Sequence, residues 1–366
     1  MSGTPAFTLL PDLASRALAG GVVAVSDELF AERENLIKPE RAEPSSAFGN
    51  KGKVYDGWET RRRRGPGHDW AIVRLGVPGV VHGVDVDTAW FTGNYPPFVS
   101  VEAAAVEGYP AIDALLAAEW VTLLGRTGIA GDTRNRFAID NGHGFTHVRL
   151  SIYPDGGVAR FRVHGVPLPD PRLMSGTIDL AAIEHGGQIL DCSNRFYSAP
   201  DQLLLPGRAT TMGDGWENAR RRDDGNDHVT VRLGAAGRVR RVEVDTSYFV
   251  GNAPGWASVT GFAGDGAVVE LVPKTRLQPD TRHLFRIDAE PAVDRVRLDV
   301  YPDGGVARLR VHGEMTRSAH ADALAHWLDA LPPSAAGHVL AKAGLDHDAI
   351  AERPLSDAVI DALLKR

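Results

Sequence analysis

The sequence predicts an all-β protein, two antiparallel sandwiches or jelly rolls in tandem with a short helical extension at the C-terminus. Three observations carry this. First, the phrase Asp56-Gly57-Trp58-Glu59-Thr60-Arg61-Arg62-Arg63-Arg64 returns as Asp214-Gly215-Trp216-Glu217-Asn218-Ala219-Arg220-Arg221-Arg222, 158 residues later. Tyr153-Pro154-Asp155-Gly156-Gly157-Val158-Ala159-Arg160 returns unchanged as Tyr301 to Arg308, 148 residues later. Second, the dominant hydrophobic period inside each copy is two, the period of a half-buried strand. Third, Gly- and Pro-rich breaks divide each copy into many short segments, as sandwiches and jelly rolls require.

The two spacings differ by ten residues, so the first copy holds an insertion between about Val101 and Phe137. The copies span residues 20–165 and 186–314, joined by the Pro-rich stretch Val166 to Pro171, where proline breaks helices and stiffens the linker. Val148, Leu150 and Ile152 alternate before the Pro-Asp-Gly-Gly turn, and Ala159, Phe161 and Val163 after it, which reads as a β-hairpin. Its second version has Val296, Leu298 and Val300, then Ala307, Leu309 and Val311. Further strands are expected at Ala71 to Leu75 and Val80 to Asp87, and at Val229 to Leu233 and Val239 to Asp245. A short helix near Ala111 to Leu116 fits the insertion. Helical spacing over Ala321 to Leu331 and Asp357 to Leu364 makes residues 317–366 an extension with no counterpart in the first copy.

Composition narrows the function. Of the 366 residues 43% are apolar and 24% charged, with a net charge of −7, which argues for a soluble globular protein and against a nucleic-acid partner. A single cysteine, Cys192, forbids an intramolecular disulfide, and no export signal or membrane-length apolar run is visible, so a cytoplasmic location is expected. A homo-oligomer is expected because such sandwich enzymes often associate.

Candidate chemistry lies in the repeated phrases. Arg62, Arg63, Arg220 and Arg221 present planar donor forks that suit a carboxylate or ureido ligand, although a solvated charged loop would look the same. Glu59 and Glu217 stand beside them, followed by Asp69 and Asp227. Asp87, Thr88 and Asn94 recur as Asp245, Thr246 and Asn252 at a strand end, where either a binding site or ordinary turn chemistry fits. His164 and His312 are the equivalent histidines, on the strand face that carries Arg160 and Arg162, or Arg308 and Arg310. His68 and His228 flank the equivalent aspartates but are not shared, so they would distinguish inequivalent sites. Asp85 and Asp87 share a strand face, yet no ligand histidines stand near their second-copy partners Glu243 and Asp245.

The Gly57 to Arg62 phrase, the Asp87-Thr88 to Gly93-Asn94 phrase, their second copies and the doubled Tyr-Pro-Asp-Gly-Gly-Val-Ala-Arg together resemble the allantoicase (allantoate amidinohydrolase) family, from about Gly20 to Gly313. The resemblance implies two tandem jelly rolls of the galactose-binding-like kind and hydrolysis of allantoate to ureidoglycolate and urea in purine breakdown. On that reading Arg62, Arg63, Arg220 and Arg221 include the carboxylate clamp. Glu59, Asp69, Glu217 and Asp227 include the acid and base, with His164 and His312 as further candidates, and Asp87, Thr88, Asn94, Asp245, Thr246 and Asn252 contact substrate. A divalent ion such as Mn²⁺ stays open as a cofactor. The rival reading is a tandem non-catalytic β-sandwich that binds a ligand, since fold does not fix function. A metal-dependent ureohydrolase with a parallel sheet is disfavoured for want of its Asp/His ligands.

Overall fold

The computed structural model describes residues 5–50, 52–288 and 291–365. The chain divides into two compact units: the first runs to Leu168 and takes back Leu328–Lys342, and the second comprises Pro169–Trp327 and the segment from Ala343 onward.

In the first unit the strands are β1 (Gly21–Val25), β2 (Asp69–Asp87), β3 (Phe98–Ala104), β4 (Val121–Gly128), β5 (Arg134–Ala138), β6 (Gly144–Tyr153) and β7 (Arg160–Pro167). The sequence suggested two strands between Ala71 and Asp87, but they are one strand of 19 residues that serves both sheets. Its first half pairs with β1 and β6, giving the order β1-β2-β6-β3-β4; its second half lies between β7 and β5. The bend falls between Arg74 and Gly79, where a Cβ on Gly76 would meet the Leu18 carbonyl oxygen at 1.8 Å. Val73, Val101, Val148 and Leu150 on the five-stranded sheet and Val84, Val86, Phe161 and Val163 on the three-stranded one are all fully buried in the core. Each such side chain contributes about 1.5–3 kcal/mol.

The second unit repeats the plan with β8 (Gln188–Cys192), β9 (Asp227–Asp245), β10 (Trp256–Phe262), β11 (Val268–Arg276), β12 (Arg282–Arg286), β13 (Val293–Tyr301) and β14 (Arg308–Met315).

The expected hairpin across Pro-Asp-Gly-Gly is not formed. β6 and β7 both pair with β2, in different sheets, so the turn carries the chain over the end of the sandwich. Alternation is identical for either arrangement. The glycines matter through close approach, since a Cβ on Gly157 would stand 2.0 Å from the Phe91 ring, and the Gly157 N–H donates to the Asn94 carbonyl at 2.8 Å.

The insertion lies between β3 and β4 and carries α1 (Ile112–Leu116). Leu115 packs on Ala24 and Ile72, with Val106, Trp70 and Trp120 around them, on the outer face of the five-stranded sheet. The second copy has only a tight turn there, Ala263 N–H to Ala267 carbonyl, and Thr230 where the first has Ile72. The C-terminal extension forms α2 (Arg317–Ala330), α3 (Pro333–Ala343) and α4 (Asp357–Leu364). α3 escaped the sequence reading because its buried stripe is only Ala336, Val339 and Leu340. Its Lys342 donates to Glu107 of the insertion at 2.9 Å. No helix among the described residues is long and apolar enough to cross a membrane.

Candidate active site

Alternation along β2, β3 and β6 puts Trp70, Ser100, Glu102, Arg149 and Tyr153 on the outer face of the first copy's five-stranded sheet. With Arg63, His68, Thr122 and Arg126 they line a cavity of about 720 Å³. Arg149 donates to the Glu102 carboxylate from Nε and Nη2, at 2.9 and 2.7 Å, and stacks on Trp120 of the insertion. Arg126 lies over the rings of Phe98 and Tyr153 and, among the described residues, has no carboxylate partner. Tyr153 shares a 2.9 Å hydrogen bond with Ser100, and His68 packs on its ring at 4.6 Å. Burial pushes the His68 imidazole below its usual pKa, and Arg63 and Arg149 push the same way against Asp69 and Glu102. His68 is therefore neutral at pH 7, with a lone pair able to accept a proton.

The residues singled out from sequence separate into three places. Arg63 lines the cavity, and buried Asp69 stands behind it, pairing with Nη2 at 3.0 Å and accepting from Ser26. Arg221 and Asp227 repeat this pair at 2.8 Å in the second copy, while Arg62 and Arg220 are exposed. Glu59 and Glu217 instead accept from Asn94 and Asn252, at 2.7 and 2.5 Å, and burial raises the Glu59 carboxyl. Asp87 and Asp245 cap the turn that follows them, and the buried hydroxyls of Thr88 and Thr246 donate to the Ala130 and Gln278 carbonyls, which is loop-pinning chemistry. Burial raises the Asp87 carboxyl. His164 faces the Leu10 carbonyl through Nδ1 beside Phe7, on the covered outer face of the three-stranded sheet, and burial lowers the His312 pKa. Glu59, Asp87, Thr88, Asn94, His164 and their second-copy counterparts all lie outside the cavity lining.

Glu102, Arg126 and Arg149 were not singled out. Their signal was strand alternation, which places polar residues on a face that the insertion then walls. In the second copy the strand registers put Thr260 where the first has Glu102, His228 for Trp70 and Asp299 for Ser151, and Asn226 takes the place of His68. Arg297 and Lys274 keep the positive charges, but Arg297 is bound by Asp299.

As for a metal, among the described residues no group of three or more His, Cys, Asp or Glu is placed to hold one. The cavity's one carboxylate, Glu102, faces the Arg149 guanidinium.

Fold and cavity together define a tandem jelly-roll protein with an arginine-lined cavity on its first repeat. A family profile described as the allantoicase repeat matches residues 11–168 and again 178–316. A probable allantoicase of Nocardia farcinica is 59% identical over 314 residues, covering 84% of this chain and 95% of the relative. A solved allantoicase structure aligns with a TM-score of 0.73 at 38% identity, over 83% of this chain and 93% of that one. The Saccharomyces cerevisiae allantoicase structure aligns at 0.71 and 37%, over 83% and 92%. The chain belongs to the allantoicase family.

Proposed function

We propose that the cavity of the first copy is where this enzyme hydrolyses allantoate to ureidoglycolate and urea. The observation that carries the assignment is that His68 and Glu102 share one cavity with Arg63, Arg126 and Arg149, whereas the second copy lacks both counterparts. Allantoate has one carboxylate and two ureido groups on a single sp3 carbon. Arg126, with no carboxylate partner among the described residues, takes the substrate carboxylate. Glu102, held by Arg149, accepts an N–H of the ureido group that stays, strengthening the nitrogen lone pair that expels the other. The departing urea nitrogen takes a proton from the Tyr153 hydroxyl as the C–N bond breaks. Water adds to the resulting N-acyliminium carbon and gives its proton to His68, so that the hydroxyl of ureidoglycolate is formed, and His68, packed on the Tyr153 ring, passes that proton on to restore the Tyr153 hydroxyl.

Two results test this. Purified protein is expected to release urea and ureidoglycolate from allantoate at a rate that chelation with EDTA leaves unchanged; no release with or without added Mn²⁺ overturns the reading. Arg126→Ala is expected to raise KM by about 10- to 100-fold with a smaller change in kcat, the worth of one charge-assisted hydrogen bond. An unchanged KM would remove Arg126 from the carboxylate.

A further inference from the structure

Arg160 and Arg308 hold the same position in the two copies, each buried and each opposite an aspartate, Asp87 or Asp245. In both, Nη1 donates to two carbonyls, of Asp56 and Ala159 or of Asp214 and Ala307. The opposite edge, Nε with Nη2, is where they part. In Arg160 it is filled by the chain itself: Nε donates to the Glu40 carbonyl at 2.9 Å, and Nη2 to the Asp56 carboxylate at 2.7 Å and the Arg41 carbonyl at 3.3 Å. In Arg308, Nε is buried with no partner, and Nη2 makes no hydrogen bond among the described residues.

The cause is chain length. Glu40 and Gly207 are equivalent anchors, each giving its carbonyl to the next arginine along, Arg162 or Arg310. Asp56 lies sixteen residues after Glu40, but Asp214 only seven after Gly207. The shorter loop supplies no counterpart to the Arg41 carbonyl. It also turns the Asp214 carboxylate onto Thr210 and Thr211. Across the strand pair from Arg308, Asp245 Oδ2 is buried with no partner among the described residues, while its Oδ1 accepts from the Ser247 hydroxyl at 2.6 Å, which Arg208 reaches at 3.4 Å. Burial, with Arg310 nearby, brings Arg308 down to about 10, the mark of a cation short of compensating charge.

We propose that Arg308, Asp245, Ser247 and Arg208 form a second ligand site, for a small carboxylate bearing an N–H or O–H donor on its α-carbon. The carboxylate bridges Nε and Nη2, which in the first copy meet the Glu40 carbonyl and the Asp56 carboxylate, and the donor meets Asp245 Oδ2. An α-ureido acid has both features; naming that class as the natural ligand rests on the allantoate reading, whereas the carboxylate site does not.

The probe is hydantoate, an α-ureido carboxylate with no second ureido group to lose, titrated calorimetrically into the full chain. Two equivalents are expected for the wild type and one for Arg126→Ala. That remaining equivalent is expected to weaken at least about tenfold in Arg208→Glu, which adds a like charge at an exposed position and leaves the fold intact. It is expected to vanish in Arg308→Gln. One wild-type equivalent untouched by Arg126→Ala but lost in Arg208→Glu supports the second site while sinking the cavity assignment. A silent titration of Arg126→Ala, or binding of urea as tight as that of hydantoate, overturns the proposal.

Discussion

His68→Asn is expected to lower kcat about 10²- to 10⁴-fold, the usual worth of a positioned acid–base group, while KM stays near the wild-type value. The second copy already carries asparagine at this place, as Asn226, so the change converts one repeat towards the other without a new shape. The pH profile gives the sharper readout. Burial and the flanking Arg63 and Arg149 depress the His68 pKa, so its neutral, proton-accepting form persists to below the ordinary histidine value. kcat/KM should therefore be level from about pH 6.5 through neutral pH, and on the acid side it should fall as the ring is protonated. His68→Asn should abolish that acid limb. A variant that keeps both the rate and the limb would assign the proton transfer elsewhere.

Trp58→Ala is expected to destabilise the first unit by about 3–5 kcal/mol, the range for emptying a buried aromatic site, read from the urea midpoint of the first unit. Trp58 is fully buried, and its Nε1–H donates to the Asp27 carbonyl at 2.8 Å. The Asp27 carboxylate in turn holds Arg61 through both backbone and side chain. Two residues on, the Arg63 N–H is fixed by Asp155 at 2.7 Å. Removing the indole thus leaves a void and an unpaired carbonyl, and loosens the segment that aims Arg63 into the cavity. Turnover should fall with stability. Trp216 is built the same way, with Nε1–H to the Asn194 carbonyl at 2.9 Å, so Trp216→Ala should destabilise the second unit by a similar amount while sparing catalysis. A Trp58→Ala midpoint within 0.5 kcal/mol of wild type, roughly the scatter of surface changes, would contradict this account.

These two expectations also explain what the duplication marked. Residues kept in both copies were natural candidates for chemistry, yet many do structural work common to both folds. Trp58 and Trp216 fill cores, Thr88 and Thr246 pin loops, and the Gly-Gly pair lets the chain pass an aromatic ring. Arg63 and Asp69 were legible because the pair recurs as Arg221 and Asp227. Glu102, Arg126 and Arg149 were not, because each appears in the chain as one more polar residue on a strand.

The sequence by itself determined the two repeats, their strand-rich character, the place of the insertion and the family resemblance, because repetition and a period of two are local properties of the chain. Tertiary structure alone decided that Asp69–Asp87 serves two sheets and that β6 and β7 do not pair, since one alternating pattern satisfies either arrangement. It also decided where the cavity lies. A loop sixteen residues long, 105–120, covers part of one sheet face and leaves the rest as a walled site, and no periodicity encodes which face a loop will cover.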